Sequence, residues 1–492
     1  MRYRIEKDLL GQRQVPAEAY YGIETLRGKE NFEITKRGIC RQMIKALAIV
    51  KKAAAKANVD ALNIDEKVGK AIMLACDEIL NGRLHGQFVT DLIQGGAGTS
   101  MNMNANEVIA NRANELLGGK KGVYDFVHPN DHVNFGQSTN DVIQTAGKIA
   151  IVKQLKKLQV ELKKLYNSYL NKANEFKDVI KMGRTHLQEA LPLRLGQEFS
   201  AYASALNRDM KRIDLAIEAL LEVNMGATAI GTSLNANEKY RKKVIYYLNK
   251  FSGEQIKPAK DLIDATRNFD TFGQASSTLK LLALNLSKTA SDLRLMASSG
   301  INGFSEITLP HVQPGSSIMP GKYNPVVPEM VNQVCFYVIG LDVTITKAIE
   351  AGQLELNVFG PIILMSLFEQ LTTLRRATRT FNNLAISGLT ANTNKYKTDN
   401  SIYLITALSP HLGHEEACNV VNEAISSEKT IKQVLLDHHI LSEEIINMVL
   451  DENNITNPGI ALENILKEKK RTRIKIYDFI NDEKGVNLLL FL

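Results

Sequence analysis

The sequence predicts an all-α protein on three observations. Apolar residues recur every three or four positions over long segments, the punctuation between these segments is short and rich in Gly, Pro and Asn, and no alternating strand pattern of any length interrupts them. The longest segment runs through Ile149, Leu155, Leu158, Leu162, Leu165 and Tyr169, with Lys153, Lys156, Lys157, Lys163 and Lys164 on the opposite face. A second passes through Phe199, Ala203, Leu206, Met210, Ile213, Ile217 and Leu220, and a third through Leu279, Leu282, Leu286, Leu293 and Met296. A fourth follows Pro328 past Val338 toward Ile349. Long amphipathic helices with short connections bury their stripes against one another, so a helix bundle is expected.

The punctuation divides the chain into three. Residues 1–140 read as an N-terminal domain of shorter helices, broken by NGRLHGQ and by glycines at 95, 96, 98, 118, 119 and 122; residues 141–393 are the long-helix domain, and 394–492 a small helical domain. Near the end, KEKKRTRIK reads as a solvated helix face. The apolar Leu488–Leu492 tail is too short to cross a bilayer, which leaves a docking end, a subunit contact or a disordered remnant.

Composition narrows the function classes. A net charge of +7 over 492 residues, with 23% charged residues of mixed sign, gives no footprint for nucleic acid and suits small acidic molecules. Cys40, Cys76, Cys335 and Cys418 show no CxxC spacing, so neither a disulfide framework nor a zinc site is expected; reduced thiols fit a cytoplasmic protein. MRYRIEKDLLGQRQ lacks the apolar core of a secretory signal, and no uncharged apolar run reaches about 18 residues, so no membrane partner is expected.

Four segments carry small, hydroxyl and amide residues where a bundle needs only turns. Gly95–Ser100 precedes MNMNANEVIANRANE, where backbone N–H groups and a helix N-terminus suit an anion, although a plain capping turn accounts for it equally. His128–Asn134 and Gln137–Asp141 precede the longest helix, and Ser138 or Thr139 serves as well for its cap. In Gly183–Gln188, His186 follows Thr185; alone, it reads first as a structural donor. His411, His414 and Glu415 lack metal-ligand spacing and read as a surface helix start. The fourth segment, QPGSSIMPGKYNP, combines adjacent serines with Lys322 and Asn324, and Gly315 and Gly321 are candidate hinges. A structural turn has no need of that combination.

GSSIMPGKYNPV resembles the signature loop of the fumarase/aspartase superfamily. GGAGTSMNMNANEVI, HPNDHVN with QSTND, and GRTHLQEALPLRLGQEF resemble its other active-site segments, in the family's order. The resemblance runs from PAEAYYGIETLRGKENFEI through GATAIGTSLNA and EAGQLELNVFGP to TALSPHLGHEEA, roughly the first 460 residues. It implies the family's three-domain fold, whose central bundle forms a multi-helix core in a homotetramer, with each active site assembled from loops of three subunits. PVVPEMVNQVCFYVIGLD, QLELN and GGAGTS resemble the aspartase branch, which implies ammonia release from L-aspartate; Phe135-Gly136 and Ile143-Gln144 depart from its pattern. The alternatives are a class II fumarate hydratase and a catalytically silent bundle.

Removing a proton beside a carboxylate puts a second negative charge on a charged group, so the site must offer preorganised donors and cations. Lys322, Asn324, Thr99, Ser138 and Thr139 have the right chemistry and sit in loops. By resemblance, Ser316 is the general base, with Lys322 and His186 in the catalytic set. Ser317 and Met319 contact the substrate, and Thr185, His186 and Asn140 hold a carboxylate and the amino group. The resemblance implies neither a metal nor an organic cofactor.

Overall fold

The computed structural model describes residues 2–298, 302–392 and 401–468. The four helices expected from periodicity all form. In chain order the helices are α1 (Ile23–Asn31), α2 (Arg41–Asp60), α3 (Glu66–Leu80), α4 (Thr99–Leu116), α5 (Thr139–Glu175), α6 (Leu195–Leu220), α7 (Glu238–Ser252), α8 (Leu262–Arg267), α9 (Asp270–Met296), α10 (Val326–Glu350) and α11 (Gly360–Phe381). The shorter α12 (Ile405–Leu412), α13 (His414–Ser427), α14 (Ile431–Asp437), α15 (Glu443–Val449) and α16 (Glu452–Thr456) follow. At about 1.5 Å per residue, the 37 residues of α5 extend roughly 55 Å. Pro328 falls in the first turn of α10, where its missing N–H costs nothing.

Two compact units divide the described residues. The first draws on Met1–Tyr166, Ser204–Asp292 and Gly315–Ser387; the second draws on Asn167–Ala203, Leu293–Pro314 and the described part of Gly388–Leu492. The basic run from residue 469 onward and the apolar tail lie outside the described residues.

The structure also holds short strand pairs that the sequence did not announce. β1 (Tyr3–Asp8) pairs antiparallel with β2 (Gly11–Pro16), from Tyr3 opposite Pro16 to Asp8 opposite Gly11. Only Glu6 and Val15 of this hairpin are buried, so it writes no alternating pattern. β3 (Ile180–Thr185) and β4 (Gln188–Arg194) form a second hairpin, in the second unit. β5 (Glu222–Val223) with β6 (Lys257–Pro258), and β7 (Ile307–Thr308) with β8 (Thr390–Ala391), are two-residue contacts.

In the first unit, α4 is buried along nearly its whole length despite the polar residues in its sequence. Buried amides there need partners, and for Asn104, Asn111 and Asn114 these are loop backbone. Asn104 donates to the Gln87 carbonyl at 2.9 Å and accepts from the Val89 N–H at 2.9 Å. Asn111 donates to the Tyr20 carbonyl and accepts from the Gly122 N–H, and Asn114 donates to the Val127 carbonyl and accepts from the N–H groups of Phe126 and Val127. Glu107 caps α1 from a distance: its carboxylate receives the N–H groups of Gly22, Glu24 and Thr25 and the Thr25 hydroxyl. A Cβ at Gly22 would stand 2.7 Å from Glu107 Oε1, so the cap position has room only for glycine.

α10 is the one described helix long and apolar enough to cross a membrane. Its buried face, Val327, Val331, Cys335, Val338, Asp342 and Ile345, has the spacing of a bundle helix. Asp342 on that face accepts from the Ser276 hydroxyl at 2.7 Å and pairs with Lys280 at 2.6 Å. Its other flank exposes Phe336, Tyr337 and Val343. In the second unit, Leu408, Val420, Val434, Leu435, Ile446 and Val449 form the core of the short C-terminal helices.

Burial pushes the Glu107 carboxyl up to about 7, against the pull of its hydrogen bonds. A carboxyl raised on folding adds stability that is complete below its unfolded value near 4.5 and is lost as pH rises through about 7. Glu107→Gln sets an amide NH2 against backbone donors. It is expected to lower stability by about 1–3 kcal/mol at pH 5 and to flatten the pH dependence between 4.5 and 7, read by denaturant unfolding.

Candidate active site

The turn that starts α5 is held from several directions. Ser138 caps the helix: its Oγ accepts the Asn140 N–H at 3.2 Å, and Asp141 returns the bond by accepting the Ser138 N–H at 2.9 Å. The second Asp141 oxygen accepts the N–H groups of Gly226 (3.2 Å) and Thr228 (3.0 Å), which fastens the GATAIGTSLNA loop to the same turn. Asn140 donates to the Ala229 carbonyl at 2.6 Å, and Asn224 donates to the Asn140 carbonyl at 3.2 Å. Ser138, Thr139 and Asn140 are half-buried at this turn, while Asp141 is wholly buried. Burial pushes Asp141 up to about 6, opposed by those backbone donors and by Lys51.

Thr99 is exposed at the first position of α4, and its hydroxyl donates to the Gly96 carbonyl at 2.7 Å. Gly96 and Gly98 both have positive φ, at 76° and 95°, and Ala97 joins them at 58°. Three successive left-handed residues turn the chain sharply into the helix, which is why the segment is glycine-rich. Three residues on, Asn102 donates to Asn134 Oδ1 at 3.2 Å and to Thr139 Oγ1 at 3.3 Å, so the first two motifs are joined through side chains.

The serine-containing loop belongs to the same unit, and the hydrogen bonds of Ser316 and Asn324 are internal to it. Ser316 Oγ accepts the N–H groups of Ile318 (3.2 Å) and Met319 (3.0 Å). Asn324 donates to the Gly315 carbonyl at 2.6 Å, and the Gly315 N–H donates to the Lys322 carbonyl at 2.8 Å. The two glycines have separate reasons. A Cβ on Gly315 would lie 2.5 Å from the Lys322 carbonyl oxygen, and Gly321 has φ +78°. Ser317, Met319 and Lys322 are exposed, whereas Ser316 and Asn324 are half-buried.

Thr185 and His186 lie in the second unit, exposed at the tip of the β3–β4 hairpin. His186 (φ 54°) and Leu187 (φ 61°) are both left-handed, as a two-residue hairpin turn requires. The hairpin is braced below its tip: Lys181 pairs with Glu306 at 2.5 Å and with Glu198 at 3.1 Å, and Arg184 pairs with Glu306 at 3.2 Å while lying over the Phe304 ring. His414 opens α13, and the His411 ring shares a hydrogen bond with the Ala461 carbonyl at 2.9 Å. Among the described residues, no group of three or more His, Cys, Asp and Glu is placed to hold a metal ion.

Asn102, Asn134 and Asp141 lie within the segments singled out from the sequence but were given no role there, and Lys51 lies outside those segments. Lys51 had a visible signal, since it follows Leu47 by four positions and so falls on the core-facing stripe of α2.

A family profile described as Lyase matches residues 11–340, and one described as Fumarase C C-terminus matches residues 404–457. The chain belongs to the fumarase/aspartase lyase family. Relatives named aspartate ammonia-lyase share 51% identity in Bacillus subtilis over 95% of this chain and 98% of theirs, and 45% in Escherichia coli over 95% and 99%. Among solved lyases, a cobalt-bound fumarate lyase:delta crystallin from Brucella melitensis superposes with a TM-score of 0.90 at 44% identity, over 93% of this chain and 100% of that one. A class II fumarase from Schistosoma mansoni superposes at 0.89 with 34% identity, over 92% and 98%. The mostly helical fold expected from the sequence is this family's fold.

In Gly315→Ala the new methyl collides with the Lys322 carbonyl. The variant is expected to show faster amide hydrogen exchange across residues 315–324 with an unchanged thermal midpoint, because the loop is solvent-facing and carries little of the core.

Proposed function

We propose that this chain is an aspartate ammonia-lyase, catalysing the reversible anti-elimination of ammonia from L-aspartate to give fumarate. The observation that carries the proposal is the identity, between 45% and 51% over nearly the full length of both chains, to several relatives named for that activity. Ser316 takes the Cβ proton as an alkoxide. The electron pair of the broken C–H bond moves onto the adjacent carboxylate as an aci-carboxylate, then returns to form the double bond as ammonia leaves from Cα. A free hydroxyl is too weak an acid for this role, and the two backbone N–H groups already directed at Ser316 Oγ support the ionised form. Lys322 adds positive charge, and closure of the loop excludes water. His186 belongs to the catalytic set, and with Thr185 and Asn140 it holds a carboxylate and the amino group. Thr99, Ser138, Thr139 and Asn324 donate to the two carboxylates, and Ser317 and Met319 line the substrate.

The working form is a cytoplasmic homotetramer in which loops of three subunits complete each site, with the family's three domains divided near residues 140 and 393. In the first unit, the apolar side chains that a single chain leaves in water support this assembly: Phe336, Tyr337 and Val343 on α10, Leu281 and Leu284 on α9, and Leu215 on α6. A second reading, fumarate hydratase, draws on the likeness to the class II fumarase.

The rise of fumarate absorbance decides between them: it is expected with L-aspartate and not with L-malate, and the reverse outcome makes the chain a hydratase. Ser316→Ala is expected to remove nearly all elimination, about 10³-fold or more, while leaving the secondary structure and assembly of the parent; substantial residual turnover reassigns the base. Dilution below the assembly threshold is expected to abolish activity together with the tetramer, followed by light scattering, and fully active monomers contradict the shared site.

A further inference from the structure

Lys51 is wholly buried in α2 and ranks among the largest side chains with no solvent contact. Burying an ammonium is costly, yet the acceptors on its Nζ are neutral amides: Asn134 Oδ1 at 2.8 Å and Gln137 Oε1 at 3.0 Å. The ionisable groups that bear on it are Asp141 on α5 and the Cys76 thiol on α3.

Burial lowers the Lys51 amine to about 7, but its N–H groups aimed at both amides dictate that each turns its oxygen inward. With both oxygens turned to Lys51, the Asn134 NH2 is left to the Gln137 carbonyl at 3.2 Å and the Gln137 NH2 to the Val133 carbonyl at 2.9 Å. The Asn134 oxygen, fixed in this way, also receives the Asn102 NH2, and the same NH2 reaches Thr139 Oγ1. Asn102 Oδ1 is thereby left buried without a hydrogen-bond partner. Turning the Asn102 amide over would give that oxygen no relief, because it would then face another oxygen that Lys51 holds in place. The orphaned acceptor is the cost of keeping a donor on Thr139. A threonine hydroxyl that already accepts there has its own proton left to give outward.

We propose that Lys51 is a positioning residue for the Thr139 hydroxyl, acting through Asn134 and Asn102 to keep that hydroxyl a donor toward a substrate carboxylate. The inference rests on the reading above that Thr139 binds the substrate. Lys51 touches no reacting atom in this account; its N–H donors set the direction of a row of amides, and the row ends at the site.

The test is a double-mutant cycle on the full-length protein, with fumarate formation from L-aspartate as readout. Lys51→Met keeps the stem and removes the donor, and Thr139→Val removes the hydroxyl. Each is expected to lower kcat/KM about tenfold, the scale of one lost hydrogen bond, with the double variant no worse than Thr139→Val alone. Losses that multiply in the double variant overturn the proposal while leaving the site reading intact. A Thr139→Val enzyme with parental kcat/KM, or a parent that forms no fumarate, overturns the site reading and this inference with it. If Lys51→Met does not fold, the nearly isosteric Asn102→Asp, which cannot donate to Thr139, takes its place in the cycle, and additivity there is equally fatal.

Discussion

The first unit depends on buried side chains of one helix that take up the backbone N–H and C=O groups of the segments around it. Helix α4 runs through the interior carrying asparagines and a glutamate where most core helices carry aliphatic side chains, and Asn104, Glu107, Asn111 and Asn114 turn outward to loop and turn backbone. The segments at 87–89 and 122–127 and the turn that opens α1 have N–H and C=O groups that no strand or helix of their own satisfies. The helix supplies what strands would otherwise provide. A loop held by two or three bonds to one rigid rod has little freedom left, which is the condition for placing a functional side chain accurately.

The same device continues toward the candidate site. Asn102 is the last member of the α4 row before the glycine-rich turn, and it binds the α5 turn instead of a loop carbonyl. Asp141 does for the 226–228 loop what Glu107 does for the 22–25 turn, gathering backbone N–H groups onto a buried carboxylate. Both carboxyls are pushed upward by burial. The serine-containing loop is built differently, folded on its own backbone and open to water. Rigid binding turns and a self-contained surface loop suit a site in which one part moves and the others wait.

The sequence made the long helices legible because a stripe of apolar residues 25 or more positions long admits few other interpretations. The chemical segments were legible through their resemblance, and through the oddity of Ser-Ser, Lys and Asn within one loop. The hairpins were not legible: β1–β2 buries so little that no alternation is written into it, and β3–β4 hides a buried lysine, Lys181, whose partners Glu198 and Glu306 are distant in sequence. The supporting residues were hard to see for a related reason. Lys51, Asn134 and Asp141 meet only after the chain has folded, and apart from the place of Lys51 on the apolar stripe of α2 nothing local marks them as interior.

The glycine at position 22 has a consequence for how the chain's beginning can be handled. Because the Glu107 carboxylate is closed off by the N–H groups of residues 22–25, removing those residues would strand an anion in an apolar interior instead of merely shortening a flexible end. An affinity tag ahead of Tyr3 extends an exposed strand edge and leaves this closure alone, whereas a deletion that reaches Thr25 opens it. The first 25 residues, which look peripheral when counted along the chain, are in physical terms the lid of a buried acid.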